Sequence, residues 1–158
     1  MERIVECVPN FSEGCNEGVI KEITDTIEAV AGVQLLDVDP GADTNRTVVT
    51  MVGSPQNVAE AAFQAVKRAA QLIDMRQHRG AHPRFGATDV VPFVPVSGVT
   101  MDDCVKLARQ VGKRIGEDLG IPVYLYEHAA SRPERRNLSR VRTGEYEGLA
   151  EKLADDEW

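Results

Sequence analysis

Short runs of β-forming residues alternate along this chain with longer amphipathic stretches, and the period of the apolar positions separates the two kinds of element. Ile4 to Val8 predicts a first strand, closed by the polar turn Pro9-Asn10-Phe11-Ser12-Glu13-Gly14. Behind the N-cap candidate Asn16, Val19, Ile20, Ile23, Ile27 and Val30 recur at helical spacing until Gly32 stops the pattern. Val33 to Asp39 and Arg46 to Val52 predict a second and a third strand, antiparallel across the turn at Pro40 to Thr44. Ser54-Pro55 supplies a cap and a proline at the first helical position. The helix it opens carries Val58, Ala61, Ala62, Ala65, Val66, Ala69, Leu72 and Ile73 on one side and ends near Asp74. Val90 to Val96 predicts a fourth strand, in which Pro92 and Pro95 call for an edge or bulged position. Thr100 caps a third helix with Asp102 and Asp103 in its first turn and Cys104, Ala108, Val111, Ile115 and Leu119 along its stripe. Gly120 and Pro122 end it, and Val123 to Tyr126 predicts a fifth strand.

The order βαββαβ, followed by αβ and a helical tail, predicts an α+β fold. Its core is ferredoxin-like, a mainly antiparallel sheet with helices on one face, extended by the αβ unit. No repeat, low-complexity stretch or linker divides residues 1–158, so one domain is expected.

Composition narrows the partners. A formal charge of -7 and a pI near 5.0 argue against nucleic acid or an anionic membrane as the main partner, which leaves small molecules or proteins. No apolar run approaches the roughly 20 residues of a membrane span, so a soluble chain is expected. Cys7, Cys15 and Cys104 form an odd set without CxxC spacing, which fits a reducing cytosol. His78 and His82 stand four apart, but Gly80 and Pro83 deny them a helix, and no metal is expected. Neither a GxGxxG nor a Walker pattern occurs, and neither Ser12 nor any cysteine sits in a nucleophile motif.

The densest chemistry lies at residues 78–89, His-Arg-Gly-Ala-His-Pro-Arg-Phe-Gly-Ala-Thr-Asp. Gly80 and Gly86 admit unusual backbone angles, and Pro83 holds His82 out of the helical region, so an imidazole is mounted stiffly on a loop. That suits a general base; a solvated or carbonyl-bonded cluster is the plainer alternative. Asp37 and Asp39 share a face of the second strand, either as site carboxylates or as a turn-capping pair. Arg46 beside Asn45 offers a charged fork and an amide to a substrate carboxylate, or else a surface ion pair. Arg132, Arg135, Arg136, Arg140 and Arg142 make a basic stretch, read either as a solvated face balanced by the acidic tail or as an anion site. The turns at Asn10 to Glu13 and Asp39 to Arg46 are expected to meet the His82 loop at one end of the sheet.

Particular residues go further. Val5 through Gly14, Leu36-Asp37-Val38-Asp39, Thr44-Asn45-Arg46-Thr47, Leu72-Ile73-Asp74-Met75, His82-Pro83-Arg84, Gly86-Ala87 and Pro122-Val123-Tyr124-Leu125-Tyr126 together resemble the glutamate formiminotransferase family from end to end. The resemblance implies transfer of a formimino group from N-formimino-L-glutamate to the co-substrate tetrahydrofolate, with a histidine of the His-Pro-Arg loop, here His82, as base. On that footing Asp39 would stabilise a formamidinium-like cation, Arg46 and Arg84 would hold substrate carboxylates with Asn45 beside them, and Asn10 would bond substrate or pterin. Family members carry a second subdomain that completes the folate groove. Residues 1–158 are therefore expected to be the N-terminal subdomain, either a fragment of a longer protein, or one product of a split gene working with a partner that supplies the rest, or a homodimer or other homo-oligomer that replaces the missing half. A formylglutamate formyltransferase and a non-catalytic folate-binding or assembly module remain the competing readings.

Overall fold

The computed structural model describes residues 2–80 and 85–154. Its strands are β1 (Ile4–Cys7), β2 (Asn10–Phe11), β3 (Gln34–Gly41), β4 (Arg46–Gly53), β5 (Thr88–Val90) and β6 (Phe93–Ser97). The main helices are α1 (Glu17–Glu28), α2 (Pro55–Leu72) and α3 (Met101–Leu119), and the short helices α4 (Leu138–Val141) and α5 (Leu149–Ala154) follow. β4 lies antiparallel between β3 on one side and β1 and β2 on the other, while β6 pairs β1 and β5 pairs β2, also antiparallel. β1 and β3 are thus parallel strands split by β4, and β4 and β6 are parallel strands split by β1. That is the ferredoxin-like arrangement, an α+β fold.

Two of its four strands are broken in register. Pro9 separates β1 from β2 and Pro92 separates β5 from β6, and the two breaks lie side by side, with Val8 N–H donating to the Pro92 carbonyl at 3.2 Å. The break lets the sheet curl, and Pro95 is tolerated because β6 is an edge strand.

Alternation along β1 and β4 aims Val5, Cys7, Val49 and Met51 at α1, α2 and α3, where they meet Ile23, Ile27, Val58, Ala61, Ala65, Cys104 and Leu107 in one buried core. Each fully buried Ile or Val contributes about 1.5–3 kcal/mol. The caps are those the sequence predicts: the Asn16, Ser54 and Thr100 side chains accept from the N–H groups of Val19, Asn57 and Asp103, and Asp103 closes a capping box. Gly120 ends α3 in the left-handed region at φ 66°.

The expected fifth strand does not form. Residues 121–126 have no strand partner among the described residues, and Val123 and Leu125 pack on α3 at Gly112 instead. Tyr124 of this segment and Val90 and Phe93 of β5 and β6 wall a common cavity of about 870 Å³, together with Phe85, Val111 and Leu138 among others.

Candidate active site

The end of the sheet where β3 turns into β4 is held by one asparagine. Asn45 sits at φ 48°, a left-handed conformation that Asn tolerates better than most residues. Its Oδ1 accepts from the Gly14 N–H at 2.8 Å, its Nδ2 donates to the Arg79 carbonyl at 3.0 Å, and its own carbonyl bonds His78 Nε2 at 2.8 Å. The turn after β2, the β3–β4 turn and the segment entering the His-Pro-Arg loop are therefore tied together. Beyond the loop, Ser12 Oγ donates to the Gly86 carbonyl at 2.7 Å and Ser12 N–H to the Ala87 carbonyl at 2.8 Å. The flanks of residues 81–84 are thereby anchored to the β3–β4 turn and to the turn after β2, which the Asn45 to Gly14 bond joins. His82 and Arg84, the expected base and one expected carboxylate ligand, lie outside the described residues.

The Asn45 amide, expected to face substrate, is committed at both ends to backbone groups. Asn45→Ala is expected to lower stability by about 3 kcal/mol, from two lost hydrogen bonds and an alanine forced to positive φ. Urea unfolding checks it.

Of the remaining candidates, Asn10 and Asp39 both oppose Val48, from β2 and β3 respectively, so the three side chains make a row across the sheet face turned away from the core helices. Two strand spacings put Asn10 and Asp39 roughly 10 Å apart. Asp39 is exposed and Asn10 is buried. Arg46 is the next residue of β4 on that face. Its Nε donates to Asn10 Oδ1 at 2.9 Å and its Nη1 to Asp89 Oδ2 at 2.6 Å.

Asp89 also accepts from Arg142 Nη2; its side chain is 1% exposed and each arginine's 13%. Burial pulls the Arg46 guanidinium below its ordinary pKa, and Asp89 works against that shift. In the sequence Asp89 and Arg142 were marked only as members of longer stretches, residues 78–89 and the basic run, with no link between them. A lone charge between β-formers, Thr88-Asp89-Val90, was the available signal. Arg142 departs from both readings of the basic stretch, since it is neither a solvated face nor a free anion site but half of a buried ion pair. Arg135 lies 5.1 Å over the Tyr124 ring.

Tyr126 borders this cluster. Burial, opposed by Arg142 and assisted by Cys7, Asp89 and Glu127, pushes its phenol up to about 12. An unfolded tyrosine ionises near 10, so the fold keeps its full stability below that pH and loses it as pH rises toward 12. About 1 kcal/mol is expected to go by pH ~11, and Tyr126→Phe to flatten that part of the urea-midpoint profile.

Two turns tied through Asn45 and Ser12 to residues 79, 86 and 87, with a buried Asp–Arg cluster on β4 and β5, make up the described site, and comparison with known proteins gives this constellation a family. Residues 4–158 match the model of the formiminotransferase domain, N-terminal subdomain. The chain belongs to the formiminotransferase family. It is 52% identical over 158 residues to a glutamate formimidoyltransferase of Streptococcus pyogenes, covering all of this chain and 53% of that protein. With the formimidoyltransferase-cyclodeaminase of Rattus norvegicus it shares 56% over 158 residues, all of this chain and 29% of that protein. The glutamate formimidoyltransferase of Thermoplasma acidophilum is 50% identical over 157 residues, 98% of this chain and 52% of that protein. The chain thus spans about half the length of the two formimidoyltransferases. Among the described residues no helix of this formiminotransferase-family chain is long and apolar enough to cross a membrane.

Proposed function

We propose that this chain is the base-bearing half of a glutamate formimidoyltransferase, which passes the formimino group of N-formimino-L-glutamate to N5 of tetrahydrofolate and releases glutamate. What supports the reading is family membership over residues 4–158, joined to a site in which Asn10, Asp39 and Arg46 share the sheet face beside the anchored flanks of the His82 loop. In this reading N5 attacks the formimino carbon while His82 takes the N5 proton. A tetrahedral carbon bearing both amines results. His82 then returns the proton to the glutamate nitrogen as the old C–N bond breaks, so one histidine serves as base and acid with no net proton consumed.

Asp39 stabilises the cationic formamidinium character of the donor, Arg46 and Arg84 hold substrate carboxylates, and Asn10 bonds the substrate or the pterin. Asn45 keeps the turns in place. The sheet face bearing these residues also exposes Val94 and Val96, at 42% and 54%, beside which the remaining half of the relatives' length would dock and complete the folate groove. Free Cys7, Cys15 and Cys104 suit a reducing, cytoplasmic setting.

The reading is tested by glutamate release from formiminoglutamate, measured with this chain alone, with the second half added, and with formylglutamate as the rival donor. Tetrahydrofolate-dependent release from the formimino donor is expected; no release in any mixture sinks it.

A further inference from the structure

Arginine ends in a planar fork on a long, flexible stem, so a guanidinium that must meet a carboxylate edge-on has to be fixed in plane as well as in position. In this chain the Arg46 fork is gripped from two strands at once: Nε by Asn10 Oδ1 on β2, at 2.9 Å, and Nη1 by Asp89 Oδ2 on β5, at 2.6 Å. Two acceptors on different donors of one fork define its plane. Asp89 is gripped in turn, since the same Oδ2 accepts from Arg142, and its backbone stands on the first strand after the His-Pro-Arg loop. The plane of Arg46 is therefore set from β2 by Asn10 and from β5 by the buried Asp89.

We infer that Asp89 is a positioning residue for substrate carboxylate binding: it holds the Arg46 guanidinium in the plane from which that group meets the substrate. The inference rests on the proposed reading of Arg46 as a substrate ligand. Stability alone is a poor reason for the cluster, because a buried carboxylate between two guanidiniums gains little over well-packed apolar side chains of the same volume. Orientation is something apolar packing would not supply.

The test is steady-state formimino transfer, with the second half supplied if turnover needs it, for Asp89→Asn, Arg46→Gln and the double variant, with KM read separately for formiminoglutamate and tetrahydrofolate. Arg46→Gln is expected to raise one of the two KM values at least tenfold. Asp89→Asn is expected to raise that same KM about tenfold with kcat changed less than threefold, and the double variant to be no worse than Arg46→Gln alone. Asp89→Glu, which keeps a carboxylate, is expected to recover most of the loss. If Asp89→Asn fails to fold, Asp89→Asn with Arg142→Met removes one charge of each sign and carries the same expectation.

Turnover with unshifted KM in the Asp89 variants, effects that multiply in the double variant, or an Arg46→Gln enzyme with both KM values unchanged would each overturn the positioning role and leave formimino transfer standing. An unsubstituted enzyme that transfers no formimino group overturns the proposed reaction, and the positioning role with it.

Discussion

His82→Ala is expected to lower formimino transfer about 100-fold or more, with the unfolding midpoint close to that of the unsubstituted protein. The amine that attacks must lose its proton and the amine that leaves must gain one, both near neutral pH, where an imidazole is half-way between its two states. Pro83 restricts the backbone of His82, and the loop is tied down on one side by Asn45 to Arg79 and on the other by Ser12 to Gly86. In the proposed reading, losing the ring is therefore expected to remove proton transfer and to leave the ties that flank the loop in place. Added imidazole is expected to restore part of the rate with little change in either KM. Undiminished turnover in His82→Ala would remove the base from the loop, and with it the assignment of roles built around it.

Gly80→Ala is expected to cost nearly as much without touching a reacting group. A Cβ at Gly80 would stand 2.1 Å from the Thr44 carbonyl oxygen and 2.8 Å from its carbon, both backbone atoms of the β3–β4 turn. Neither can swing aside as a side chain would, so the loop has to retreat by about 1 Å. A displacement of that size between a catalytic group and its substrate costs about 100-fold in rate. Stability is expected to fall by only about 1–3 kcal/mol, the usual range for overpacking. A rate loss of that size with the fold intact, measured by turnover beside thermal unfolding, is the expected signature. A wild-type rate would mean that the turn at Thr44 does not set the position of the loop.

Much of the fold was legible because its signals are local. The helical stripes on α1, α2 and α3, the Asn16, Ser54 and Thr100 caps and the proline-marked edge strand each depend on a few neighbouring residues. Leu107 and Phe63 were missed on the buried faces of α3 and α2, since burial there depends on how those helices cross and not on their own periods. Val123 to Tyr126 has the composition of a strand but no strand to pair with among the described residues, and a β-former without a partner does not make a strand. The site divided in the same way. Residue types and stiffening prolines and glycines marked the His-Pro-Arg loop and the Asp39 to Arg46 turn, while the ties between them run across more than 30 positions of chain, as from Asn45 to Arg79.

By itself, then, the sequence determined most of the element types, the ferredoxin-like order and, through its motifs, the family, because these follow from local propensity and residue identity. Only the tertiary structure decided that Asn45 serves the frame, that Asp89 and Arg142 close on Arg46, and that Asn10 and Asp39 face each other across Val48. Hydrogen bonds and ion pairs have a reach of about 3 Å, and which groups come within it is set by strand register and chain reversal, not by distance along the chain.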